Sequence, residues 1–137
     1  MIDTREKMNL PFRYPQRQFI KILIDAIYGK GVDRPLQAYQ DETFETPLDT
    51  VELNKQLFAA QMVITTNPTT YLPDTQYVTN DPNWDDFVRF RITEMWYFDK
   101  GAGEMKVRIL GIAPLKPLYN EATGAVICET PMFWVHY

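Results

Sequence analysis

Two rows of apolar residues in the segment RQFIKILIDAIYGKG predict a helix over residues 17–29. Successive members of each row are four residues apart, so each row lies along one side of a helix. The first row is Phe19, Leu23 and Ile27, and the second is Ile20 and Ile24. Gly29 or Gly31 supplies the C-terminal stop.

The segment ETPLDTVELNKQLFAA predicts a second helix, at about residues 47–60. Two N-terminal boundaries are open. Thr46 followed by Pro47 is one start, and Asp49 with Glu52 three residues later resembles a capping box. The apolar side of this helix is formed by Leu48, Val51, Leu53, Leu57 and Phe58.

Between and before these helices the pattern is weaker. The lead-in NLPFRYPQ is expected to be extended, because Pro11 and Pro15 disfavour helix in the residues that precede them. RPLQAYQD and MVITT are candidate short strands. The stretch NPTTYLPDTQYVTNDPN, which with Trp84 forms a 67–84 loop, is the longest irregular segment, and loops of this length are usually functional or mobile.

From Trp84 onward the chain alternates between apolar and polar residues, which is typical of strands. DFVRFRITEMWYFD and EMKVRILGIAP are the two strands of a hairpin over residues 87–113, and VICETPMFWVHY gives a last strand or strand pair around Pro131. Two helices followed by strands predict an α+β fold, with both helices packed on an antiparallel sheet of about 3–5 strands. The length of 137 residues favours a single domain over 1–137.

The parity of the hairpin register decides which side chains share a face. A loop of two or four residues between Phe98 and Gly103 pairs Trp96 with Met105, and Glu94 with Val107. One face then becomes almost wholly apolar, and we expect it to form part of the core. Asp-Lys-Gly at the tip, residues 99–101, suits a tight turn with a glycine of positive φ.

Glu94 is a carboxylate on the otherwise apolar face of this hairpin. It is either paired with an Arg or Lys from elsewhere, or turned outward by a bulge in the strand.

The other face carries a basic stripe, formed by Arg89, Arg91, Lys106 and Arg108, in an otherwise acidic protein. One interpretation is a solvated sheet face that discourages edge pairing. The other is a docking face for an acidic partner.

Composition and charge exclude several classes of function. The net charge is −4 and the pI about 4.9, whereas a dedicated nucleic-acid binder normally has a strongly basic balance. No apolar run is long enough to span a bilayer, and the start MIDTREKMNL lacks the apolar core of a signal peptide. Because the sequence stops inside an apolar strand, we expect truncation at both ends.

Candidate catalytic chemistry is sparse. The chain has no serine, one histidine (His136) and one cysteine (Cys128), so neither a Ser-His triad nor the usual zinc ligand set can form. Cys128 is expected to be a buried, inert thiol. The GAG motif precedes a strand rather than a helix, which excludes the common phosphate-binding loops. We therefore predict no enzymatic activity, no cofactor and no metal site.

Four blocks of sequence resemble the gliding-motility and type IX secretion family GldN, also called PorN. They are IDTREKMNLPFRYP, FETPL, RITEMWYFDK…MKVRILGIAPLK and PMFWVHY, in that order, and they are spread over residues 2–137. The hairpin block is the most specific, because it joins WYFD to VRILGIAP across a very short turn. Members of the family carry an N-terminal signal peptide with a lead-in segment, and a further C-terminal region. The chain thus resembles a trimmed central domain.

The resemblance implies a non-enzymatic, cofactor-free component of a periplasmic ring. Its implied partners are an outer-membrane lipoprotein, GldK or PorK, and the periplasmic part of the motor-shaft protein GldM or PorM. It assigns no binding residue one by one.

The residues suggest two candidate surfaces. We expect partner contacts at the basic stripe and at the 67–84 loop. The alternative is a periplasmic domain that binds glycan, peptidoglycan or peptide through loop aromatics, with Tyr71, Tyr77 and Trp84 as the candidates.

Overall fold

The computed structural model describes residues 1–58, 60–79 and 81–137, with only the backbone described at residues 60–65 and 76–79. The described chain contains two α-helices, α1 (Phe19–Ile27) and α2 (Thr50–Leu57). Two 3-10 helices cover Lys7–Arg13 and Trp84–Asp86. The helix predictions are thus confirmed in place, and both α-helices are shorter than expected.

Nine strands make up the rest of the described fold, and every pairing between them is antiparallel. They are β1 (Ile2–Asp3), β2 (Ala38–Tyr39), β3 (Pro47–Leu48), β4 (Ala60–Thr66), β5 (Pro73–Thr79), β6 (Arg89–Asp99), β7 (Glu104–Tyr119), β8 (Val126–Pro131) and β9 (Trp134–His136). Seven of them form one sheet in the order β1-β6-β7-β9-β2-β3, with β8 also paired to β7. The α+β prediction is confirmed, and the expected 3–5 strands were too few, because strands of two residues leave almost no alternating pattern.

The core lies between the two α-helices and the centre of the sheet. α1 contributes Ile20, Leu23, Ile24 and Ile27, as its helical spacing predicts. From α2, Leu53 and Leu57 are buried, but Val51 is 57 % exposed, so its inclusion in the apolar side was wrong. The sheet contributes Phe90 and Val135, and Phe133 lies fully buried between β8 and β9.

The local sequence explains where α1 ends and where α2 begins. Gly29 has a φ of +74°, its amide donates to the Ala26 carbonyl, and the Lys30 amide donates to the Asp25 carbonyl. This is the Schellman arrangement, which selects Gly29 over Gly31 as the stop. α2 begins after Asp49, so the second proposed boundary is the correct one, and Pro47 lies in β3 instead.

Two segments expected to be irregular have regular backbone. Residues Lys7–Arg13 form a 3-10 helix rather than an extended lead-in. Pro11 is the fifth residue of this helix and removes one i→i−3 hydrogen bond, but its fixed φ near −65° lies within the range of 3-10 geometry. The 67–84 loop contains β5, which pairs with β4 from Thr66–Pro73 to Ala60–Thr79, so most of it is a hairpin. The sequence alone does not show where the turn, residues 67–72, ends and the strand with its β-branched residues, 73–79, begins. That boundary is clear only from the strand pairing.

The outer part of the β6–β7 hairpin keeps the predicted parity but not the predicted register, and the inner part, where Ile92 pairs with Ile112, keeps neither. The loop is Lys100–Gly103 and Trp96 faces Val107, two positions from the expected Met105. The glycine of positive φ is Gly103, at +69°, and not the predicted Gly101. The Gly103 amide donates to the Asp99 carbonyl, which closes a four-residue loop. Between Thr93 and Glu94 the register shifts by one, with Leu110 as the additional residue of β7. This bulge does not turn Glu94 to the other face, as the second explanation for Glu94 required, because the extra residue is in β7 and Glu94 stays on the side of Trp96.

Candidate functional surface

The outer half of the β6–β7 hairpin projects beyond the body of the sheet. β1 pairs with β6 only at Arg89 and Phe90, and β9 pairs with β7 only at Gly111 and Ile112. Within the described part of the chain, residues 94–99 and 104–109 therefore pair only with each other. We call this two-stranded segment, residues 94–109, the distal ribbon.

The distal ribbon exposes large apolar side chains on both of its faces. Trp96 is 61 % exposed and Phe98 is 56 % exposed. The exposed set is Met95, Trp96, Tyr97, Phe98, Met105, Val107 and Ile109. The expectation that one hairpin face belongs to the core is therefore wrong beyond Ile92, because no helix or second sheet layer among the described residues covers the distal ribbon. Contiguous exposed apolar surface of this kind typically marks an interaction site.

Pairing across the ribbon defines its two faces. Trp96, Phe98, Met105, Val107 and Ile109 share one face, which we call the apolar face. Glu94 lies at its inner end, exposed, and accepts a 3.0 Å hydrogen bond from the Trp96 indole Nε1.

The opposite face combines apolar and charged side chains, and we call it the mixed face. Met95 pairs with Arg108 and Tyr97 pairs with Lys106, while Arg91 lies on the same side further down β6. The register thus brings the four cations of the basic stripe onto one side of the hairpin.

The members of the basic stripe differ in their environments. Arg89 is held between two carboxylates, with Asp3 Oδ2 3.1 Å from its Nε and Glu129 Oε2 3.1 Å from its Nη1. Lys106 forms an ion pair with Asp99. Arg91 and Arg108 are exposed and have no ion-pair partner among the described residues. Of the predicted stripe, these two arginines are the cations that remain available to a partner.

The network around Arg89 fastens the N-terminus and β8 to β6. The pKa of Asp3 lies well below its usual range, first because Arg5 donates side-chain and backbone hydrogen bonds and then because Arg89 donates another. The carboxylates of Asp3 and then Glu129, which accept hydrogen bonds from Arg89, raise the pKa of Arg89. Arg89 therefore has a structural role here, which the stripe alone did not reveal.

The aromatic candidates of the 67–84 segment do not form one cluster. Tyr71 lies in the turn between β4 and β5, 82 % exposed and with a φ of +56°. Tyr77 lies in β5, and its side chain is outside the described residues. Trp84 opens a 3-10 helix and is partly buried against the core, with its ring 6.3 Å from that of Phe87.

Trp84 also lines an open cavity of about 630 Å³. Tyr14, Pro15, Asn83 and Asp85 also line it. Gln18, another lining residue and only 9 % exposed, donates a 2.7 Å hydrogen bond to Asp85 Oδ1. The cavity brings a tryptophan face together with polar groups, but it does not include Tyr71.

Cys128 lies in β8 opposite Leu118, and its thiol is exposed rather than buried as expected. The β7–β8 hairpin, like the distal ribbon, extends past the region that the helices cover. Leu118, Tyr119, Val126 and Ile127 are exposed there as well. Alternation alone cannot distinguish a core face from a face that no other layer covers.

Among the described residues, no group of three or more His, Cys, Asp or Glu side chains is placed to hold a metal ion. No helix in the described ranges is long and apolar enough to cross a membrane.

The sequence contained a signal for the distal ribbon that our interpretation did not use. A strand with one buried face needs apolar residues only at every second position. Four consecutive residues of β6 are apolar or aromatic, so both of its faces carry such side chains: Met95, Trp96, Tyr97 and Phe98. Such a strand is either buried on both sides or covered by another molecule.

The comparison with known protein families agrees with the resemblance noted from the sequence. The model of the family described as "Gliding motility associated protein GldN" matches residues 1–137, the whole chain. A search of curated proteins found no match. The chain belongs to the GldN family of gliding-motility-associated proteins, which are components of the gliding motility and type IX secretion machinery.

Proposed function

We propose that the chain is a non-enzymatic structural component of the periplasmic ring of this machinery. In this proposal it binds an outer-membrane lipoprotein of the GldK or PorK type and the periplasmic part of a GldM- or PorM-type motor-shaft protein. Family membership supports the setting. The observation that carries the interaction role is the distal ribbon, which exposes seven large apolar side chains outside the core.

The ribbon is suited to protein binding by its shape and its chemistry. Burying apolar surface is worth roughly 25 cal/mol per Å², so covering several half-exposed aromatic side chains supplies a substantial part of a binding free energy. Trp, Tyr, Met and Arg are the residue types enriched at protein interfaces, and all four are present on residues 91–108. Because the ribbon is anchored in the central sheet, it offers this surface without first having to fold.

The two available arginines indicate the charge of the partner. Arg91 and Arg108 lie on the mixed face beside the exposed Met95 and Tyr97. A partner with carboxylates around an apolar centre complements this arrangement, and the attraction accelerates association at low salt. Arg89 is not included, since it already has two carboxylate partners.

The test is binding of the chain to the purified lipoprotein partner, followed by interferometry at two salt concentrations. The double variant Arg91→Glu/Arg108→Glu is expected to weaken binding at least tenfold, by replacing attraction with repulsion. The matched control Arg17→Glu/Arg34→Glu makes the same charge change at exposed positions away from the ribbon and is expected to leave affinity within about twofold. Equal affinity for the two double variants would remove the mixed face from this contact.

The cavity beside Trp84 favours a second candidate function, the binding of a glycan or peptide. A sugar ring stacks on an indole face while neighbouring polar groups hold its hydroxyls. Titration with peptidoglycan fragments, read by tryptophan fluorescence, tests this candidate with Trp84→Phe as the matched variant. A response that Trp84→Phe abolishes supports the candidate. An unchanged emission spectrum across the titration rejects it.

A further inference from the structure

The outer edge of β6 is open along the distal ribbon. The Thr4 amide donates a 2.8 Å hydrogen bond to the Val88 carbonyl, so the backbone groups of Val88 face the β1 side. Backbone groups of alternate residues in a strand point to the same edge, and β6 itself has no extra residue. The N–H and C=O groups of Glu94, Trp96 and Phe98 therefore point outward, where no strand of the described chain pairs with them.

This edge lacks the features that usually prevent sheet edges from pairing. Exposed edge strands are normally interrupted by proline, a bulge or inward-facing lysine. The bulge of this hairpin is in β7, and residues 95–98 of β6 contain no proline and no charge. The opposite edge is different, since β7 carries Glu104, Lys106 and Arg108 along the ribbon.

We propose that β6 is the docking strand for a second copy of this chain, which adds to the sheet by antiparallel pairing of residues 95–99 about a twofold axis at Tyr97. Trp96 of each copy then faces Phe98 of the other. Glu94, just before the paired segment, lies beside Lys100, the first turn residue of the other copy, at both ends. The two sheets become continuous, with the apolar face of one copy beside that of the other. The inference does not depend on the proposed function, because it concerns the chain by itself.

Charge and space select this register over its neighbours. In a continuous sheet with a twofold axis perpendicular to it, residues pair only with residues on the same face. One residue therefore pairs with its own copy across the axis, and each possible register is named by that residue. An axis at Trp96 places the Glu94 carboxylate opposite Phe98. An axis at Met95 places Asp99 opposite Arg91, a position already flanked by Met1, since Ile2 pairs with Phe90. The axis at Tyr97 places Met95 opposite Asp99, whose carboxylate is already paired with Lys106 of its own copy. It also gives two oppositely charged pairs and ends short of β1.

The predicted dimer is small and reversible. Two paired strands of five residues form an interface smaller than that of a standard specific complex, which corresponds to weak association. Cross-strand pairs of aromatic residues and of opposite charges are the contacts that stabilise such an edge. The charged pairs also allow a test that leaves the fold intact, because Lys100 has no ion pair and Glu94 bonds only to Trp96 within the described chain.

The experiment is sedimentation velocity over a roughly hundredfold range of protein concentration, with four variants. Glu94→Lys and Lys100→Glu each place like charges opposite one another twice per dimer, so each is expected to raise the dimer dissociation constant about tenfold. The exchange variant Glu94→Lys/Lys100→Glu restores opposite charges and is expected to return to within about threefold of the wild type. Glu104→Lys makes the same charge change on the other strand and is the matched control.

The outcomes separate cleanly. Self-association that both single variants weaken and the exchange restores supports the register. A chain that stays monomeric throughout, or dimers that none of the four variants affects, would overturn the proposal. Circular dichroism of each variant checks that the hairpin is retained. Failure here leaves binding to the lipoprotein untouched, since that binding is measured with a different partner and different variants.

Discussion

The ring of Phe44 covers Gly111 so closely that no side chain fits at position 111. A β-carbon built on Gly111 lies 2.7 Å from Phe44 Cε1 and 2.8 Å from the Val135 carbonyl oxygen, closer than normal contacts allow. Phe44 itself has a φ of +60° and packs edge-on against the rings of Tyr39 and His136. Because Gly111 follows the bulge residue Leu110, this contact lies at the root of the distal ribbon.

Gly111→Ala is therefore expected to destabilise the protein by about 1–3 kcal/mol through overpacking. The control is Gly101→Ala, where the nearest atom is 3.4 Å away and φ is not positive. Urea unfolding followed by circular dichroism measures both. A Gly111→Ala variant as stable as Gly101→Ala would show that Phe44 moves aside without cost.

The position of Gly111 illustrates what the sequence could not predict. Its neighbours Leu110 and Ile112 fit a regular alternation, so nothing local indicated a bulge or a ring from residue 44. Contacts between residues so far apart in sequence depend on the assembled sheet. By contrast, α1 followed directly from its spacing, because the pattern of one helix is complete within its own residues.

The distal ribbon shows the same limit for the candidate site. The alternation of β6 correctly identified one face with Phe90, Ile92, Trp96 and Phe98. The alternation could not show that the buried part of this face ends near Ile92, because the extent of burial depends on how far the helices reach across the sheet. The basic stripe was likewise found on one face, while the carboxylates that hold Arg89 come from Asp3 and Glu129, at opposite ends of the chain.

Phe90 and Phe98 offer a direct comparison, since they lie on the same face of the same strand. Phe90 is 1 % exposed and Phe98 is 56 % exposed. Phe90→Ala is expected to cost about 3–5 kcal/mol in the free energy of unfolding, the usual range for a buried phenylalanine. Phe98→Ala is expected to cost less than about 1 kcal/mol.

Chemical unfolding of both variants at low protein concentration measures this difference without a contribution from self-association. Similar large losses for the two would mean that the apolar face of the ribbon is part of the core in solution.

The Asp3 carboxylate makes stability depend on acid. Its pKa is lowered in the folded state by hydrogen bonds from Arg5 and Arg89, so the folded protein binds the proton less readily than the unfolded chain. The resulting stabilisation is fully present above the ordinary aspartate pKa of about 4 and is lost as the pH falls below it. Asp3→Asn removes this contribution.

We therefore expect Asp3→Asn to lower the melting temperature at pH 7, with a difference from the wild type that shrinks steadily from pH 4 to pH 2. Asp25→Asn is the control, because its pair with Lys30 spans 3.8 Å between exposed side chains and contributes little. Thermal melts across this pH range measure the difference. A gap between Asp3→Asn and wild type that stays constant down to pH 2 would contradict the role of the Asp3 network.

Hydrogen–deuterium exchange of the chain with and without the lipoprotein shows which residues the partner covers, and so tests whether it binds at the distal ribbon. The measurement is made at a concentration where the chain alone is monomeric. We expect slowed exchange concentrated in residues 94–109, with the backbone of α1 and α2 unchanged. Clear binding that slows exchange elsewhere and leaves residues 94–109 as in the free chain would contradict the account.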